Sequence, residues 1–173
     1  MEFTTQVSLF EDNLWHYHLP VPVPVAKHFI ENNKDRRVVC ILNEQVKIQA
    51  AIMSKGEEGY YLMLSKDLRK KLGGIDVGAL VQVHMEKDHS KYGIEMPEEM
   101  QEALYSDPEA DKLFHALTPG KQRTLIHLVL KIKSSNKRIN KAIVILEHLK
   151  KMDGNIDFKI LNQDFKDFNQ GVL

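Results

Sequence analysis

Apolar residues recur at every second position through the first half of the chain and at every third or fourth position through the second, and the change falls near Asp88. Phe3, Thr5, Val7 and Leu9 alternate with Thr4, Gln6 and Ser8, which predicts one half-buried strand ended by Glu11-Asp12-Asn13. Leu14 to Leu19 reads as a second strand. Pro20, Pro22 and Pro24 then alternate with Val21, Val23 and Val25, fixing φ and removing three ladder donors, so this segment is expected as an extended edge or crossing. Pro24 suits the first turn of a short helix through Ala26, Phe29 and Ile30, closed by Asn32-Asn33. Arg37 to Leu42 and Val46 to Met53 form a hairpin about Asn43-Glu44, and Lys55 to Gly59 is a further turn. From Tyr60 to Glu86 the pattern is strand, short helix, turn, strand. Ser65 caps the helix, Leu68 and Leu72 share one face, Gly73-Gly74 ends it, and Asp76-Val77-Gly78 leads into Val81, Val83 and Met85 alternating with Gln82, His84 and Glu86. About six strands and two short helices within roughly ninety residues predict a small β-barrel, since closure removes the exposed edges of so many short strands.

Beyond Asp88 the period is helical, which divides the chain into a barrel domain over residues 1–90 and a helical subdomain over 91–173. Pro97-Glu98-Glu99 and Asp107-Pro108-Glu109 open two helices with acids in their first turns, the second with Ala110, Leu113, Phe114 and Leu117 on one side. Thr118-Pro119 opens a third, with Leu125, Leu128, Val129 and Ile132 clustered and Arg123, His127 and Lys131 stacked opposite. Ser134 or Ser135 caps a fourth, in which Ile139, Ala142, Ile143, Leu146 and Leu149 are expected inward and Lys137, Lys141 and His148 outward. Asp153-Gly154 stops it, and the tail from Asn155 alternates weakly enough to suggest one more short element.

Composition narrows the class without naming a partner. The 173 residues are 43% hydrophobic and 28% charged, with 24 basic and 24 acidic side chains, so no global charge draws the chain to nucleic acid or anionic membrane. Cys40 stands alone in the apolar run RVVCIL and is expected as a small buried hydrophobe in a reducing compartment. No basic and apolar leader opens the sequence, and no run approaches the ~18 apolar residues of a spanning helix. A cytoplasmic location is the expectation.

The segments PEEMQEAL, DPEADKLFHALTPGKQRTLIHLV and KSSNKRINKAI, from Met96 to Ile143, resemble the helical domain of the bacteriocin-protection, YdeI/OmpD-associated family. The order of features carries the likeness: Pro97 before a short acidic helix, Asp107-Pro108 followed by Phe114, Leu117-Thr118-Pro119, then a basic helix pair. The upstream part, ending in LSKDLRKKLGG and a turn into Val81 and Val83, is similar to the N-terminal domain of unknown function that commonly precedes it. That resemblance implies a double-split β-barrel, distantly similar to transition-state-regulator and antitoxin barrels. Two departures stand out. The basic Ala-Lys then Thr-Arg pattern of many members is here Ile132 to Arg138, and the acid that often follows the turn glycine is Ala79.

Candidate chemistry is sparse. His16 and His18 fall on one side of a strand, but two imidazoles without a Cys or carboxylate cluster do not make a metal site, and exposed strand histidines are the simpler reading. Ser65 is a cap, not a nucleophile; Gly73, Gly74 and Gly78 serve a turn and match no phosphate loop; Glu57 and Glu58 read as solvated loop charges. No catalytic, cofactor or metal residues are assigned. The one asymmetry lies between Thr118 and Lys151, where nine basic residues face one acid, Glu147, a local charge of plus eight. Lys121, Arg123, Lys131, Lys133, Lys137, Arg138 and Lys141 are therefore the candidate contacts for a polyanion or protein partner, weighed against a solvated helix face; nucleic acid is a less favoured partner because no aromatic interleaving accompanies them. Trp15, Tyr17, Tyr60 and Tyr61 are the candidate lining of a pocket between the two parts, weighed against core packing. The reading is a non-enzymatic binding or stress-protection protein with a basic helical contact surface. The alternatives are a ligand-binding barrel or weak enzyme, and a nucleic-acid-binding regulator.

Overall fold

A computed structural model describes residues 1–10, 13–31, 33 and 35–171, with side chains described for these except at 13–16 and 58. They divide into two compact units, Met1–Gly93 and Ile94–Leu173. The first unit runs β1 (Glu2–Gln6), β2 (Ser8–Phe10), β3 (Asn13–Val21), α1 (Val23–Glu31), β4 (Arg37–Leu42), β5 (Val46–Ala51), β6 (Met53–Ser54), β7 (Tyr60–Met63), α2 (Lys66–Lys71) and β8 (Leu80–Lys87). All pairings are antiparallel, in two four-stranded sheets of order β1-β8-β4-β5 and β2-β3-β7-β6.

This corrects the six-strand expectation. The segment read as one strand from Phe3 to Leu9 is two, divided at the buried Val7, whose N–H donates to Ala79 O and whose carbonyl accepts from Gly78 N, both at 2.9 Å. Gly78 makes that contact at φ +86°, a left-handed conformation that suits glycine. The segment from Val46 to Met53 divides likewise at the buried Ile52, whose N–H donates to Arg36 O at 2.9 Å. In both places the inward and outward alternation continues while the hydrogen-bonding partner changes. Alternation reports which face is buried, not which strand is the neighbour.

Pro20 lies inside β3, paired with Tyr61 of β7. Its carbonyl turns away from that strand to accept from the Thr5 hydroxyl at 2.8 Å, so its ring nitrogen lies on the same side and no β7 ladder bond is lost. Ser65 caps α2 by accepting from Leu68 N at 3.2 Å, and the helix closes with Gly74 N donating to Arg69 O and Gly73 N to Lys70 O. Gly73, at φ +87°, is the left-handed residue this closure requires. The core joins Val38, Cys40 and Leu42 of β4 to Val81, Val83 and Met85 of β8, with Leu19, Leu62, Ala26 and Phe29 packed in the same cluster. Each such large apolar side chain contributes roughly 1.5–3 kcal/mol on burial.

The second unit consists of α3 (Glu98–Ser106), α4 (Pro108–Ala116), α5 (Pro119–Leu130), α6 (Ser135–Lys151) and α7 (Phe158–Asn169). Asp107 caps α4 by accepting from Ala110 N at 3.0 Å, and the buried Gln122 of α5 donates to Phe114 O at 3.0 Å, satisfying a carbonyl at the end of α4. The other four helices all pack on α6. It therefore buries a broad arc, Ala142, Val144, Ile145, Leu146, His148 and Leu149, in place of one stripe. His148, expected outward, is only 2% exposed, whereas Ile139 and Ile143, expected inward, are 40% and 42% exposed. The tail is α7, a full amphipathic helix capped by Asp157, which accepts from Lys159 N at 2.8 Å and Ile160 N at 3.1 Å. Among the described residues no helix is long and apolar enough to cross a membrane.

Candidate anion-binding cleft in the helical unit

The seven cations singled out above have different fates. Arg138 donates from Nε to Ile132 O at 2.6 Å and lies 3.6 Å from Glu99, which ties the first turn of α6 to the end of α5 and to α3. Lys141 is half-buried with Nζ 3.2 Å from the centre of the Phe165 ring. Arg123, half-buried, also has an interaction partner. Lys121, Lys131, Lys133 and Lys137 are exposed, with no hydrogen bond or ion pair among the described residues. Lys131 and Lys133 flank Ile132 between α5 and α6, Lys137 follows in the first turn of α6, and Lys121 stands apart in the first turn of α5.

Ile132 begins a cleft of about 390 Å³ lined further by Lys137, Asn140, Lys141, Val144, Phe165, Phe168 and Asn169. Its α6 residues are spaced so that two ammonium groups lie one turn apart, and α7 supplies two rings and an amide. Desolvation in this cleft pushes the Lys141 pKa below the usual lysine range. No described carboxylate compensates its charge; the ring face of Phe165 does so in part. The lining offers ammonium and carboxamide donors against an aromatic floor and carries no hydroxyl, thiol, imidazole or carboxylate. Such a set can hold a carboxylate, phosphate or sulfate group and the apolar part attached to it.

Phe165 is held in place by the residue before it. Asp164 is buried and accepts from His148 Nδ1 at 2.7 Å and from Lys151 Nζ at 2.9 Å. Asp157 N–H points at His148 Nε2 from 3.4 Å, so the tautomer with its proton on Nδ1 satisfies both ring nitrogens. Burial acts to raise the Asp164 pKa, but the hydrogen bonds from His148 and Lys151, with the Lys151 charge, prevail and keep it below the ordinary aspartate value. This buried network clamps α7 onto α6. The sequence reading missed Asn140, Phe165, Phe168, Asn169 and the His148–Asp164 pair, although Phe158, Leu161, Phe165 and Phe168 follow a helical spacing that marks α7.

The aromatic candidates are distributed over two faces. Tyr17 and Tyr60 pack against the core of the β-rich unit, while Tyr61, next to Tyr60 on β7, meets Phe10 at 4.8 Å and His18 at 5.5 Å between ring centres. Adjacent residues of one strand point to opposite faces, so Tyr60 and Tyr61 do not line one pocket. Trp15 lies in β3, and its side chain is outside those described. Tyr17 is covered by the Arg69 guanidinium at 3.5 Å from the ring centre; its hydrogen bond to Asp76, before burial, raises its pKa. His18 is buried and stacked on Phe10 at 3.9 Å, not exposed as expected, and the His16 side chain is outside those described. Among the described residues no three His, Cys, Asp or Glu side chains gather as metal ligands would.

An antiparallel β unit followed by five helices, with a cationic cleft in the second unit, defines a two-part α-and-β protein. Residues 3–85 match the model of a domain of unknown function (DUF1905), and residues 93–151 match the family described as bacteriocin-protection, YdeI or OmpD-associated. The helical part is thus similar to that family, with a match to the domain of unknown function in front of it. Searches among curated proteins and solved structures gave no match. The matched stretch includes Lys131 to Lys141 but ends before α7, which supplies the floor of the cleft.

Proposed function

We propose that this is a non-enzymatic binding protein of the bacteriocin-protection type, in which the surface shared by α5, α6 and α7 takes an anionic group of a polyanionic or acidic protein partner. The observation that carries this is Lys141, a partly desolvated ammonium without a carboxylate partner, in a cleft beside Lys137 and two amides. Desolvating a cation is unfavourable, and a docking anion offsets that cost. The lining sets no carboxylate, imidazole, hydroxyl or thiol beside Lys141 to act with it on a bound group, which supports binding over catalysis. The β-rich unit serves as a scaffold of the double-split barrel type, a reading supported by the two segments that pass from one sheet to the other at Val7 and Ile52. Cys40, an unpaired thiol sealed in the core, supports a cytoplasmic setting.

The test uses retention on immobilised heparin and on immobilised duplex DNA. Lys131, Lys133 and Lys137 are the residues to reverse, because Arg138 and Lys141 also hold the fold. Reversal to Glu should abolish retention on heparin while the circular-dichroism spectrum remains that of the folded protein. Undiminished retention would remove the proposal, and retention on DNA alone would favour a nucleic-acid-binding regulator.

A further inference from the structure

We propose that a second groove, between α3 and α6, is a docking site for a cationic amphipathic helix of a partner protein. This groove, of about 520 Å³, is lined by Glu98, Glu99, Glu102, Ala103, Ser106, Asp107, Ser135, Ile139, Ile143, Leu146 and Glu147. Its floor is a strip of Ile139, Ile143 and Leu146, at i, i+4 and i+7 on α6, which runs for about 10 Å at the rise of an α-helix. Ile139 and Ile143 are the two apolar side chains that α6 leaves at 40% and 42% exposure. That geometry matches two turns of a facing helix with its own apolar residues at i, i+3 or i+4, and i+7.

Charge selects the sign of that helix. Five carboxylates line the groove and no Lys, Arg or His does. Glu99 is engaged by Arg138 at 3.6 Å, and Lys150 binds Asp107 at 2.8 Å and Glu147 at 2.7 Å. Glu98 and Glu102, one turn apart on α3, have no hydrogen bond or ion pair among the described residues. An apolar floor beside an uncompensated acidic rim fits a helix with Leu- or Ile-type residues on one face and Lys or Arg along its flank. The surface is independent of the cationic cleft, whose Lys137, Asn140, Lys141 and Val144 lie on the other side of α6.

The experiment titrates the full chain, labelled at isoleucine methyls, with three synthetic peptides of about four turns: a Leu–Lys amphipathic helix, a Leu–Glu counterpart, and a Leu–Lys peptide of the same composition with its periodicity scrambled. The expected result is saturable binding of the first alone, with shifts at Ile139 and Ile143. Glu98→Lys with Glu102→Lys should weaken it roughly ten-fold or more in a protein that keeps the circular-dichroism spectrum of the folded chain, and Ile143→Gln should weaken it too, while Lys137→Glu should leave it as it was. No saturable binding, equal binding of the acidic or scrambled peptide, or full affinity in the Glu98→Lys, Glu102→Lys protein would overturn the proposal. Sedimentation showing self-association that those two substitutions abolish would make a second copy the occupant and overturn it equally.

Discussion

His84 sits on the solvent face of β8 with a carboxylate on each ring nitrogen: Glu2 Oε1 at 3.0 Å from Nδ1 and Glu86 Oε1 at 2.9 Å from Nε2. Register explains this, since Glu2 lies directly opposite His84 and Glu86 is two residues along the same strand. Only an imidazolium donates to both, and the hydrogen bonds to Glu86 and then Glu2 raise the His84 pKa. Its folded value lies above the unfolded one, so its contribution to stability is complete below the ordinary histidine value of about 6.5 and is lost as pH rises through the folded value. Glu86 is shifted the other way by the same bond, so its contribution is complete above the ordinary glutamate value of about 4.3 and is lost as pH falls through its lowered folded value. The trio is therefore most favourable between those two ranges. An NMR titration of the imidazole should give a midpoint above that of a free histidine, and Glu86→Gln should lower it; an unmoved midpoint would show that the bond to Glu86 does not set it. Cys40 illustrates the opposite environment: burial pushes its thiol up to about 12, which leaves it a small inert hydrophobe, as its apolar neighbours suggested.

At the scale of elements, the decisive contact is α7 on α6. His148→Ala would leave the Asp164 carboxylate buried with one partner, Lys151, and should cost roughly 3 kcal/mol in urea-induced unfolding. A loss under about 1 kcal/mol, within the range of ordinary surface substitutions, would mean that the pair does not clamp the helices. Asp164 has a lowered folded pKa, so its stabilising contribution is complete above the ordinary aspartate value and is lost as pH falls through the folded one. This clamp also marks where sequence reading gave out. Helices with one covered side were legible: the caps at Ser65 and Asp107 and the buried Ala110, Phe114, Leu125 and Val129 follow from periodicity and turn chemistry. The orientation of α6 was not, because a helix enclosed by four others buries an arc too wide for a two-sided pattern, and a polar residue such as His148 can lie inside it when a partner arrives from elsewhere in the chain. The same holds for the candidate site. Its lysines stood out as a charge asymmetry, but the ring under Lys141 and the amide of Asn169 come from α7, and only tertiary packing brings them there.

On the scale of the whole molecule, the formal charge is zero at pH 7 with a pI near 7.1, so attraction to an anion cannot come from the global field. Fields between exposed charges fade over about 10 Å at 0.1 M salt, which confines any effect to cations that touch the ligand. Lys137→Glu and Lys27→Glu separate these contributions. Both residues are exposed, and both substitutions change the net charge by minus two. Lys137 is in the first turn of α6, where a carboxylate is favoured by the helix dipole, so its reversal should not weaken the fold. With a short duplex or heparin oligosaccharide, Lys137→Glu should lower both the affinity and the slope of log affinity against log salt, by roughly one unit for the lost contact, since each neutralised phosphate of a duplex contributes about 0.9. Lys27→Glu, on α1 of the other unit, should leave both as they are. Equal losses from the two substitutions would mean that the ligand senses total charge, and the cleft between α6 and α7 would then have no claim to be the contact surface.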